Sequence, residues 1–302
     1  MEIIRNFEDL VAHLAQKGER KRVAVVWASD GHTQFAVHKA LEEGFISAIF
    51  VGCRKEVEAN DAFKPYAEHI SFVDSDDRDD AAAKAVALVR EQKADILMKG
   101  LINTDNLLHA VLNKETGILP KGRVLTHLTC TSIPGHAKLI FFTDAAVIPY
   151  PTQEQRIEQV RYVAQVCHSF GIEEPKISLI HCTEKPNEKF FPFTIGYADI
   201  IEKAKGGEFG RCIVDGPLDV RTSCDIESMK TKGIESPIAG EADALIFPDI
   251  EAGNVFYKAV TLFSGAETAA FLQGTLAPVV LTSRGDSEMT KFYSLALAAV
   301  SC

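Results

Sequence analysis

The first third of the chain alternates short apolar, β-branched runs with stretches of helical period. Val23–Ser29 (VAVVWAS) predicts a buried strand, and the spacing from about His32 to Glu43 predicts an amphipathic helix. Ala48–Val51 (AIFV) and His69–Val73 (HISFV) predict two further strands. An Ala-rich helical face covers Asp80–Gln92, and Asp95–Met98 (DILM) returns to the sheet. Strands separated by helices of this length predict βαβ units, hence a parallel sheet with helices on both faces.

The rhythm then changes. Val124–Cys130 and Lys138–Thr143 are extended runs joined by Thr131–Ala137, which holds a Pro-Gly, and they predict an antiparallel pair. Thr152 is placed to cap a long helix reaching about Ser169. A second α/β series begins at Lys176–His181 and continues through Arg211–Val214, Ala244–Phe247 and Pro278–Thr282. A last helix runs from about Ser287 to Val300. The pattern predicts an α/β protein of two domains, with mainly parallel sheets flanked by helices. Its change of rhythm near residues 143–150 is the expected boundary.

Composition narrows the partners. The 302 residues, 46% hydrophobic and 25% charged, suffice for two ordinary cores. A net charge of −10 gives no general attraction to nucleic acid or to an anionic membrane. An anionic substrate must therefore be met by cations gathered locally. The seven cysteines show no C-x-x-C spacing, which argues against a disulfide framework or zinc ribbon and predicts buried reduced thiols. The amphipathic N-terminal stretch lacks the apolar core of a signal peptide, and no run approaches a membrane span. The expected compartment is the cytoplasm.

Open parallel sheets bind ligands at the carboxyl ends of their strands, which directs attention to the loops after those strands. In Val279–Ser287 (VVLTSRGDS) an apolar strand enters a polar turn, and Asp286 or Ser287 is placed to cap the next helix. Such a turn aims backbone N–H groups and a positive helix end at one point, a site for an anion. There Gly285 supplies flexibility, Ser283 a hydroxyl and Arg284 a forked donor for phosphate or carboxylate. In Phe247–Lys258, Asp249 and Glu251 precede Gly253 and Asn254, with Lys258 one turn beyond Asn254 on the same helix face. Paired carboxylates can bind a metal or move protons, or simply favour a helix N-terminus. No further ligand cluster with suitable spacing stands near them, so no metal is expected. Asp215-Gly216-Pro217 predicts a rigid turn at a strand end, projecting the carboxylate. Lys99-Gly100 ends another strand, with Thr104 placed as a helix cap, and His109 further on reads as a packing residue. Neither G-x-G-x-x-G after the first strand, nor a P-loop, nor G-x-S-x-G is present, which disfavours a dinucleotide enzyme, a P-loop ATPase and an α/β hydrolase.

Read in order, several segments resemble the phosphate acetyltransferase and phosphate butyryltransferase family. They are Lys99-Gly100 with the stretch to Asn113-Lys114-Glu115-Thr116-Gly117, then DGPLDV at 215–220, PDIEAGNVFYKA at 248–259 and PVVLTSRGDS at 278–287. Glu184-Lys185-Pro186-Asn187 through Thr194 and SPIAGEADAL at 236–245 fit as well. The resemblance spans about residues 95–300. It implies a two-domain enzyme resembling the isocitrate and isopropylmalate dehydrogenase fold, usually a homodimer, with its active site in an interdomain cleft. The first domain would comprise 1–143 plus about 271–302, and the second 144–270.

The resemblance also implies a reaction, reversible acyl transfer from coenzyme A to inorganic phosphate, with coenzyme A as substrate and no resident cofactor. Ser283 and Arg284 match the family's Ser-Arg pair that contacts coenzyme A and the reacting groups. Lys99 and Lys258 would be supplementary cations, and Asn254, Gly285, Asp286 and Ser287 further contacts. Asp215, Asp249 or Asp286 would accept the thiol proton. The acetyl-specific branch carries an aspartate seven positions after that serine, where Thr290 stands here. The T-S-R-x-D-S pattern of Thr282–Ser287 matches the butyryl branch, so butyryl or a branched acyl group is expected over acetyl. A decarboxylating dehydrogenase of similar fold would need clustered aspartates for a divalent cation, and none are evident.

Overall fold

The computed structural model describes residues 2–282 and 285–302. The chain divides into two compact units. A terminal unit contains Phe7–Leu125 and Thr268–Cys302, and a central unit contains the stretch up to Asn6 and Thr126–Glu267.

In chain order, the terminal unit begins with α1 (Phe7–Lys17), β1 (Lys21–Val26), α2 (Gly31–Glu42), β2 (Ile46–Val51) and α3 (Arg54–Glu58). It continues with β3 (Ile70–Val73), α4 (Arg78–Arg90), β4 (Ile96–Lys99) and α5 (Thr104–Val111). The central unit supplies β5 (Thr126–Ser132), β6 (Ile140–Thr143), α6 (Gln153–Ser169), β7 (Lys176–Ile180), α7 (Tyr197–Lys205) and β8 (Ile213–Leu218). After these come α8 (Val220–Cys224), α9 (Ile226–Lys232), β9 (Ala244–Ile246) and α10 (Ile250–Ser264). The chain then returns to the terminal unit through β10 (Glu267–Gln273), β11 (Val279–Val280) and α11 (Glu288–Val300).

The strands of the terminal unit lie in the order β3-β2-β1-β4-β11-β10. All neighbours run parallel except β10 and β11, which pair antiparallel at Leu272 and Val279. In the central unit the order is β5-β6-β9-β7-β8, with only β5 and β6 antiparallel. The antiparallel pair expected from the Pro-Gly connection is therefore present, and so is the mainly parallel character.

Local chemistry sets the helix starts. Asp30 caps α2 by accepting from Thr33 N at 2.8 Å. Asp77 accepts from two amides of α4. Thr152 and Gln155 form a reciprocal capping box at α6, as its sequence predicts. Helix α11 differs from the rest, because Lys291 to Val300 are all buried and it runs through the core of its unit. No helix among the described residues is long and apolar enough to cross a membrane.

Four expectations need correction. Asp215-Gly216-Pro217 does not close a strand but lies inside β8. Gly216 makes this possible, since a Cβ there would meet the Leu179 carbonyl oxygen at 2.5 Å, and the β7–β8 register shifts beside it. Strand β10 is not predicted, because ETAAFLQ buries its residues without strict alternation. Helix α5 starts at Thr104 itself, with Asn103 in the cap position. All seven cysteines are free, but only Cys53, Cys130 and Cys167 are buried. Cys182 follows the end of β7 and Cys302 follows α11, and both are exposed.

The helix that follows β9 is set by a close backbone approach. A Cβ on Gly253 would stand 2.1 Å from the Asp144 carbonyl oxygen. Gly253→Ala is expected to lower the unfolding free energy in urea by about 1–3 kcal/mol. Gly31→Ala, at a position with nothing within 4 Å, should change it by less than about 1 kcal/mol.

Candidate functional site

In the terminal unit the parallel strands deliver their loops to one end of the sheet. Gly100 presses the exit of β4 against that of β1, and a Cβ there would meet the Val26 and Trp27 carbonyl oxygens at 2.5 and 2.6 Å. Its amide donates to Val26 O, and Leu101 N donates to Trp27 O, both at 2.8 Å. Lys99, the last residue of β4, is consequently buried, with Nζ 3.5 Å from Gly100 O. Lys99 thus stands at the end of β4, where its sequence places it. His109 is exposed on α5.

The turn between β11 and α11 carries the other predicted residues of this unit. Ser283 and Arg284 lie outside the described residues. On their flanks, Thr282 is buried, Gly285 exposed and Asp286 half-buried. Of the two predicted caps it is Ser287 that serves, its Oγ accepting from Thr290 N at 3.1 Å. The hydroxyls of Ser287 and Thr290 also meet at 3.1 Å. Thr290 therefore completes the helix start at the position where the resemblance raised the question of a base.

One residue of this site escaped the sequence reading. Lys291 is 5% exposed, and its Nζ donates to Thr282 Oγ1 at 3.0 Å. Burial lowers its pKa from the ordinary lysine value, while the carboxylates of Asp30 and Asp286 act in the opposite sense. The available signal was one charged residue heading an otherwise apolar helical run.

In the central unit the predicted residues divide between two places. Asp249 caps α10, its Oδ1 accepting from Ala252 N at 2.8 Å. Asn254 ties the same helix to the loop after β6 by donating to Ala145 O at 3.0 Å. Lys258 is exposed one turn further, its Nζ 4.6 Å from the Tyr257 ring centre. Glu251 accepts from Tyr150 Oη at 2.9 Å, and that bond raises the phenol's pKa. Asp215 is not part of this group. It stands on β8 and accepts from Ser236 Oγ at 2.5 Å.

A buried guanidinium was also missed. Arg156, in the first turn of α6, is 3% exposed and donates from Nη2 to Pro248 O at 3.0 Å. It lies 5.0 Å from the Phe193 ring centre, and its buried Nε has no hydrogen-bond partner. Burial lowers its pKa, opposed by the charges of Tyr197 and Asp249. Nothing in the amphipathic pattern of α6 singled it out. Among the described residues no three His, Cys, Asp or Glu side chains gather as a metal site. The arrangement offers cations and hydroxyls at strand ends, a set suited to anionic substrates.

Residues 75–299 match the family model described as phosphate acetyl/butaryl transferase. The chain is 38% identical over 300 residues to a phosphate butyryltransferase of Clostridium acetobutylicum, covering 99% of this chain and 98% of that one. It is 35% identical to a phosphate acetyltransferase of Thermotoga maritima, covering 94% and 96%. The crystal structure of a branched-chain phosphotransacylase from Enterococcus faecalis superposes with a TM-score of 0.81 at 31% identity, covering 93% and 98%. A 4-hydroxythreonine-4-phosphate dehydrogenase from Klebsiella pneumoniae shares the fold at a TM-score of 0.56 and 12% identity, covering 94% and 100%.

The cap role of Asp249 is separable from its charge. Asp249→Ala should destabilise the protein in urea by about 1 kcal/mol, whereas Asp249→Asn, which retains the acceptor, should cost less than about 0.5 kcal/mol.

Proposed function

Because the chain belongs to the phosphate acetyl/butaryl transferase family, we propose that it transfers a butyryl or branched short acyl group between coenzyme A and inorganic phosphate. The observation that carries the acyl preference is Thr290. It occupies the position of the acetyl branch's aspartate and is engaged in the Ser287 cap. Similarity to a phosphate butyryltransferase across nearly the whole chain supports the same side. A preference for acetyl-CoA is the alternative, supported by the 35% identity to a phosphate acetyltransferase.

The reaction needs no redox step. A phosphate oxygen attacks the thioester carbonyl carbon, the C–S bond breaks, and coenzyme A leaves as a thiolate that takes a proton. The protein must position two substrates and stabilise the carbonyl oxygen as it gains charge. In this reading Arg284 holds phosphate or the reacting carbonyl, Ser283 hydrogen-bonds near the thiol, and Lys99 and Lys258 add positive charge. One well-placed donor contributes on the order of 3 kcal/mol to lowering the barrier. In the reverse direction Asp215, Asp249 or Asp286 would accept the proton of the thiol; Asp215 also accepts from Ser236 and Asp249 from the α10 amide. Coenzyme A is a substrate here, and the enzyme works in the cytoplasm without a resident cofactor.

Free thiol released from acetyl-, butyryl- and isobutyryl-CoA in the presence of phosphate, without NAD or magnesium, tests the reaction and its acyl preference together. Butyryl- or isobutyryl-CoA should give the highest kcat/KM, and Arg284→Ala should lower it at least a hundredfold; an unchanged Arg284→Ala enzyme would refute that role.

A homodimer is part of the same proposal. Helix α10 exposes Val255, Leu262 and Phe263, the last two at 75% and 82%, and these positions share one helical face. Burying two such side chains against a second copy would contribute roughly 1.5–3 kcal/mol each. Light scattering should find a dimer for the native chain and a monomer for Leu262→Asp/Phe263→Asp.

A further inference from the structure

We propose that Lys291 is a positioning residue for acyl transfer, holding Thr282 through its ammonium and lending a buried positive charge to phosphate bound at the β11–α11 turn. The inference rests on the phosphate acyltransferase reading and adds to it a residue outside the Ser283–Arg284 pair.

Three observations lead to it. The first is the cost of the residue. Lys291 heads ten consecutive buried positions of α11, of which the other nine are uncharged. An apolar side chain of similar length would pack there without desolvating an ammonium, so packing alone does not account for the lysine.

The second is what its amino group holds. Strand β11 is two residues long and joined to β4 by the pairs Val279–Leu97 and Val280–Met98. Beyond that short ladder, the contact between Lys291 Nζ and Thr282 Oγ1 ties the residues just after β11 to α11. The start of that helix is itself fixed by the Ser287–Thr290 cap. Loss of the ammonium would remove this donor from the Thr282 hydroxyl.

The third is the electrostatic balance. The charges that act on Lys291 come from Asp30, which caps α2, and from Asp286 within the turn. Together they do less for the ammonium than burial does against it. A phosphate at the turn supplies the missing negative charge, and the lysine in return favours phosphate over a neutral ligand. Since Lys291 reaches the turn through Thr282, its effect should appear chiefly in phosphate binding.

The test compares Lys291→Met, Thr282→Val and Thr282→Ser with the native enzyme, measuring KM for phosphate, KM for acyl-CoA, kcat and melting temperature with and without inorganic phosphate. Lys291→Met and Thr282→Val should each raise the phosphate KM at least tenfold while leaving the acyl-CoA KM within threefold. Thr282→Ser, which keeps the hydroxyl, should stay within threefold on every constant. The melting temperature of Lys291→Met without phosphate should equal or exceed that of the native protein, and inorganic phosphate should raise the native melting temperature but not that of the variant. A merely structural lysine would give the reverse, a lower melting temperature with an unchanged phosphate KM, and that result overturns the proposal. Should Lys291→Met fail to fold, Thr282→Val decides, and an unchanged phosphate KM in that variant is equally fatal. If the native protein releases no thiol from any acyl-CoA, the acyltransferase reading fails. The phosphate-dependent melting shift then still judges Lys291 on its own, and its absence from the native protein rejects the inference.

Discussion

The pairing of β11 with β4 joins the last part of the chain to its first third, and the terminal unit depends on it. Val279 and Val280 enter a sheet whose strands, β10 apart, come from the first hundred residues, beside Leu97 and Met98. Helix α11 then fills the core of that unit with ten buried side chains. The chain between β4 and β11, more than half of its length, must close into a loop for this pairing, an entropic cost that local contacts do not offset.

Several residues that look chemical in the sequence do structural work in the folded protein. Asp249 and Ser287 satisfy amides at the starts of α10 and α11, and Asn254 fastens α10 to the loop after β6. These roles do not compete with ligand binding. A helix start that is capped and held in place presents its remaining amides in a fixed direction, and a preorganised site needs that rigidity. The same logic explains the buried cations. Lys99, Lys291 and Arg156 are each held among packed residues, where a positive charge is costly to the fold and strongly felt by an anion. In an acidic chain of net charge −10, these buried cations stand at the end of β4 and in the first turns of α6 and α11.

What the sequence determined by itself was the order of strands and helices, the parallel character, the antiparallel pair of β5 and β6 and the Thr152 cap. These follow from hydrophobic period and from the hydrogen-bonding needs of helix ends, both local properties. Its motifs, read in order, also led to the family and to the turn after β11. Tertiary structure alone decided the rest. Asp215 reads as a turn residue because Gly-Pro follows it, but the close packing of Gly216 on Leu179 keeps the strand going. Strand β10 pairs with β11 at Leu272 and Val279, a contact between segments that no pattern in ETAAFLQ reveals. Lys291 and Arg156 appear as ordinary polar positions on helices until packing removes water from around them. Burial is set by neighbours distant in the chain, so local pattern could not identify these two buried cations.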